Sequence, residues 1–167
     1  MALIEDDLDW GDIDPIDLIE HIAATNEWMF DRLEDDRIAL AIEGQWRTYS
    51  VTMAWSQSDE TLRLLCTFEM EPPAHREGQL YEAINHANEM CWAGNFTWWS
   101  EQRMMVYRYG LILAGEQFLT PEQVDMMIGS AIAACERFYP AFQLVTWADR
   151  SPVEAMGIAI AEAHGTA

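Results

Sequence analysis

The sequence predicts an α+β protein: an antiparallel sheet with helices packed on one side, ordered helix, three or four strands, helix, two strands, helix, then a short C-terminal helix. Three observations carry this. Polar and apolar residues alternate between residues 28 and 70, as in Tyr49, Val51, Met53 and Trp55 against Thr48, Ser50, Thr52 and Ala54. Helical spacing replaces that alternation over residues 77–92 and again after residue 121. Three helix starts carry a capping residue followed directly by proline. Strands and helices in this grouping define the α+β class.

Asp14-Pro15-Ile16-Asp17 opens the first helix with a cap, a proline at the first position and an acid in the first turn. Ile16, Ile19, Ile22 and Ala23 share one face, and the helix should end near Asn26. Residues 28–33 and 37–43 flank the turn Glu34-Asp35-Asp36. Residues 61–70 put Leu62, Leu64, Cys66, Phe68 and Met70 on one side, and Pro72 and Pro73 end the strand. Together these strands read as an antiparallel meander with one buried and one wet face. Leu80, Ala83, Ile84, Ala87 and Cys91 form the stripe of the next helix, with Gly94 as its terminating cap. Residues 95–100 and 103–113 make a hairpin around Glu101-Gln102. Thr120-Pro121-Glu122-Gln123 is a capping box opening a helix whose stripe runs Val124, Met127, Ile128, Ala131, Cys135, Phe138 and Phe142. Ser151-Pro152-Val153-Glu154 repeats the start signal for a helical extension over residues 151–167. Residues 1–14 form an acidic leader expected to be mobile, with Leu3, Ile4, Leu8 and Trp10 as points where it can dock. Residues 15–167 are expected to form a single domain.

The chain has 167 residues and a formal net charge of −20. Such a body repels phosphate backbones and anionic headgroups, so neither nucleic acid nor a membrane surface is expected as a partner. All nine basic residues are arginines. The lack of lysine excludes a P-loop, a Schiff-base lysine and a Ser-Lys dyad. Cys66, Cys91 and Cys135 have no CxxC spacing and read as reduced thiols. The acidic start lacks the positive and apolar parts of a secretory signal, and no run is long and apolar enough to span a bilayer. A cytoplasmic protein is expected.

No catalytic residue, metal ligand or cofactor site is predicted. His21, His75, His86 and His164 are scattered, and Glu82, His86 and Glu89 have a spacing that a solvated helix face explains. No GxSxG or HExxH is present. The eight tryptophans say more, because Trp92, Trp98 and Trp99 fall close together beside Phe96. If Glu101 and Gln102 make the turn, Trp98 faces Met105 and Phe96 faces Tyr107 across the hairpin. One hairpin face is then the core side. The other holds Trp99, Met104, Val106, Arg108 and Ile112, an apolar end to an otherwise wet outer surface. Those five residues are the candidate interface with a second subunit or bound partner. The competing expectation is that the C-terminal helix folds back over them. A turn of odd length would exchange the two faces.

Glu43-Gly44-Gln45-Trp46 to Trp55, Leu62 to Phe68, Ile84-Asn85 to Gly94-Asn95-Phe96, and Val106-Tyr107-Arg108-Tyr109 together resemble the YbjN family, bacterial proteins labelled as sensory transduction regulators. The similarity runs over roughly residues 15–147. It implies a fold like that of the type III secretion chaperones, usually dimeric, with no established catalytic residues to carry over. The expected function is therefore a non-catalytic, homodimeric module that binds a protein or peptide in regulation or as a chaperone. The alternative is a small-molecule sensor whose pocket lies between the sheet and the helix opened by Pro121, and an enzyme ranks third.

Overall fold

The computed structural model describes residues 13–165, with side chains described as far as Ala161. The leader expectation falls on residues 1–12, outside the described residues. Asp14 does cap the first helix, its Oδ1 accepting from the Ile16 amide at 2.9 Å. The order is α1 (Pro15–Thr25), β1 (Met29–Glu34), β2 (Arg37–Glu43), β3 (Thr48–Ser56), β4 (Thr61–Glu69), α2 (Glu77–Glu89), β5 (Asn95–Trp99), β6 (Met104–Ile112), α3 (Pro121–Trp147) and α4 (Pro152–Gly165). A single 3-10 turn, Ala74–Arg76, leads into α2. The predicted α+β class and its element order are observed, with four strands before α2.

All strand pairs are antiparallel, in the spatial order β1-β2-β3-β4-β6-β5. The chain leaves β4, forms α2, makes the edge strand β5 and returns through β6 to pair with β4. The buried face is the alternating set read from sequence: Tyr49, Val51 and Met53 on β3, Leu62, Leu64, Cys66 and Phe68 on β4. The α3 stripe from Val124 to Phe142 is likewise buried against it. This places Cys66 and Cys135, distant in sequence, with their Sγ atoms 3.6 Å apart in the core. The contact with Cys66, then burial, pushes the Cys135 thiol far above its ordinary pKa.

Two local readings need correction. Strand β1 does not alternate cleanly, because Met29, Phe30 and Leu33 remain exposed. It is an edge strand, and its register shifts between Arg32 and Glu34, so packing constrains it from one side only. Gly94 is not the cap of α2. The helix stops at Glu89 with Met90 as C-cap, and Gly94 carries no left-handed backbone angle. Its role is close approach: a Cβ there would collide with the Arg108 carbonyl oxygen and stand 2.6 Å from Tyr107 Cζ. Gly94→Ala is therefore expected to destabilise by about 2 kcal/mol through overpacking. Urea denaturation should show a lower midpoint with an unchanged slope.

The fourth helix does not fold over the outer sheet face. It packs on α2 and α3, burying Ala155, Met156 and Ala159 in the core. The outer face thus has no helix over it among the described residues.

Candidate functional site

The hairpin register is the predicted one. Trp98 pairs with Met105 and Phe96 with Tyr107, and the four-residue turn 100–103 leaves the faces as assigned. Trp99, Met104, Val106, Arg108 and Ile112 therefore share the outer face. Their exposures differ. Ile112 is 70 % exposed and Trp99 36 %, whereas Val106 is fully buried. Val106 lies opposite Thr67 on β4 and Thr97 on β5, outside the main core cluster. Being fully buried, it presents nothing to a partner.

The outer face is concave over the middle strands. A groove of about 790 Å³ runs across them, and Trp99 and Arg108 line it while Met104, Val106 and Ile112 do not. The sequence reading missed Arg37 on β2 and Arg63 on β4, which line the same groove. The pairing explains the convergence: Arg37 faces Ala54, Ala54 faces Arg63, and Arg63 faces Gly110 in one row across four strands. Arg108 lies in the adjoining row, opposite Leu65 and Asn95. No acidic residue lines the groove, in a chain with 29 acids and 9 bases.

The three guanidinium groups are differently engaged. Arg63 Nη2 lies 2.6 Å from Asp59 Oδ2, an exposed pair at the rim. The Ser56 hydroxyl and then Arg63 hold the Asp59 carboxyl below its usual range. Arg37 makes a loose contact with Glu34 at 3.9 Å. Arg108 has no hydrogen bond or ion pair among the described residues. The surface chemistry is that of a partly apolar cleft with cationic donors suited to carboxylates.

A second, shallower cleft of about 290 Å³ lies between α3 and the end of α2, lined by Cys91, Trp92, Tyr107 and Arg137 among others. Its walls are mainly α3 and residues 90–93, with Tyr107 the one sheet residue, whereas the sensor alternative placed its pocket between the sheet and α3. Two of its groups are turned toward neutrality: burial raises the Cys91 thiol, and burial followed by the nearby Cys91 raises the Tyr107 phenol to about 12. Neither is poised as a nucleophile or base near neutral pH. Among the described residues no group of three His, Cys, Asp or Glu side chains is placed to hold a metal. No described helix is long and apolar enough to cross a membrane.

Fold and surface together define a six-stranded α+β protein whose open sheet face carries its distinctive chemistry. The chain belongs to the YbjN family, described as "Putative bacterial sensory transduction regulator", whose sequence pattern matches residues 15–144. Among solved structures it is similar to one titled "Crystal structure of YbjN, a putative transcription regulator from E. coli". The TM-score is 0.52 at 12 % identity, covering 81 % of this chain and 92 % of that one. That likeness is one of fold. No curated protein sequence matches the chain.

Proposed function

We propose that this YbjN-family protein is a regulator that acts by holding a protein or peptide segment against the outer face of its sheet. The observation that supports this reading most is the acid-free groove with Trp99 and three arginines on a body of net charge −20. Strong negative charge elsewhere confines attractive contacts with a negatively charged partner to this face and disfavours the rest of the surface. Aromatic and arginine side chains are those that contribute most when a protein surface is covered. A second copy of the chain is one occupant within this reading.

The chain has no lysine, so amine-directed cross-linkers have no side chain on this face to react with. A photo-cross-linking residue in place of Trp99, expressed in the native host, is expected to capture a discrete protein. The same residue in place of Tyr81, which is 50 % exposed on α2, should not. Ile112→Glu is the charge insertion of choice, since a glutamate in the enclosed Val106 site would disrupt the sheet. Equal capture from both positions, with Ile112→Glu leaving capture and light-scattering mass unchanged, would remove the support for this reading.

A further inference from the structure

The arginine groove has a candidate occupant within the same chain, and this inference rests on the reading of the outer face as the binding face. We propose that residues 1–12 dock into it in cis. The segment MALIEDDLDWGD carries Glu5, Asp6, Asp7, Asp9 and Asp12 interspersed with Leu3, Ile4, Leu8 and Trp10. That composition complements a cleft of three cations, one indole and no acid.

Placement favours the same answer. Arg32 near the end of β1 binds Asp17 at 3.0 Å and Glu20 at 2.8 Å, which fixes the start of α1 over that end of the sheet. The next residues of the strand lead into the row Glu34, Arg37, Ala54, Arg63, Gly110 on the outer face. Asp14, the cap of α1, therefore lies toward the end of β1 nearest the arginine row. Four strand spacings from β1 to β6 amount to about 19 Å. Twelve extended residues reach about 40 Å. The nearer alternative, strand addition along β1, brings the segment against Asp31, Glu34, Asp35 and Asp36. Like charges in that position disfavour it.

Docking requires that Arg63 and Arg37 exchange their exposed local acids for those of the segment, and that Arg108, without a partner among the described residues, gain one. Exposed pairs of this kind are weakly held, so the exchange costs little. The bound segment is then displaceable by a partner with similar chemistry, which makes the leader a competitor for the face.

The test uses the full-length chain with a photo-cross-linking residue in place of Trp10 and maps the products by mass spectrometry. Intramolecular products with peptides from β3, β4 and β6 are expected. Their yield should fall at least about fivefold between 0.05 and 0.5 M salt, because screening removes much of the attraction. The double variant Arg63→Gln/Arg108→Gln should lower it similarly. Both side chains are exposed, and circular dichroism checks that the variant folds; the salt series on the unaltered surface stands independently of it. Products confined to β1 or to the helices, a yield indifferent to salt, or products that link two chains would each overturn docking in cis. Partner capture from position 99 without any such leader product would sink this inference and leave the proposed function standing. Leader products without partner capture would do the reverse.

Discussion

Replacing Phe96 with alanine is expected to lower stability by about 4 kcal/mol, the scale of a fully enclosed phenylalanine. Phe96 is 2 % exposed, and its ring meets Tyr107, Phe138 and Phe142 edge-on at centroid distances of 5.1, 5.8 and 5.2 Å. One side chain thus joins β5, β6 and two turns of α3. Beyond the transfer of an aromatic ring, its loss leaves a cavity that three rigid rings cannot collapse into. The backbone at this position adds to the effect. The Phe96 amide donates to Asn88 Oδ1 at 2.7 Å, and its carbonyl accepts from Asn88 Nδ2 at 3.0 Å. The Asn88 side chain therefore acts as a substitute strand and covers part of the open edge of β5. Guanidinium denaturation should show the lowered midpoint, and Phe96→Leu, which keeps most of the volume, should lose roughly half as much. A loss below about 1 kcal/mol for Phe96→Ala would mean that β5 is held chiefly by its ladder to β6. Because Asn95 and Trp99 belong to β5 and line the groove, the variant should also lose whatever the outer face binds.

The parts of this architecture that were legible in the sequence are those written in local patterns. Period-two alternation assigned the buried faces of β3 and β4 residue by residue, and the capping box at Thr120 located the start of α3. The short turn of the last hairpin set its register, and with it the shared face of Trp99, Met104, Val106, Arg108 and Ile112. What the pattern of one strand does not contain is the identity of its neighbours. β4 pairs with β6 across the whole of α2 and β5, so Arg63 and Arg108 come together only through a long-range contact. Val106 read as exposed by parity, yet it is fully buried on a strand that β4 and β5 flank. An available signal for the groove was that Arg37, Arg63 and Arg108, three of nine cations, all fall at outward positions of strands. Gly94 was misread because a glycine after a helix suggests a cap, whereas here the missing Cβ makes room for β6.

Arg76 is a second residue that composition could not single out, and Arg76→Ala is expected to cost about 3 kcal/mol. It is 9 % exposed, in the turn before α2. Its Nε donates to the Val145 carbonyl at 2.9 Å, and its Nη2 donates to the Arg150 carbonyl at 2.6 Å. The first acceptor lies in the last turn of α3, where carbonyls lack helical donors and carry the negative end of the helix dipole. The second lies in the short link to α4. One guanidinium therefore terminates α3 and fixes the chain as it turns into α4. Its ion pair with Asp149, at 3.3 Å, matters less, since the Asp149 side chain is 85 % exposed. Asp149→Asn should change stability by about half a kcal/mol or less. Arg76→Lys should recover only part of the loss, because an ammonium cannot span both carbonyls as the planar fork does. Denaturant midpoints for the three variants give that order directly. Hydrogen exchange gives the location: in Arg76→Ala, the amides of α4 should exchange faster than those of β3 and β4, to which the guanidinium donates no hydrogen bond. Uniform acceleration across the sheet would mean instead that Arg76 contributes to global stability without holding α4 in place.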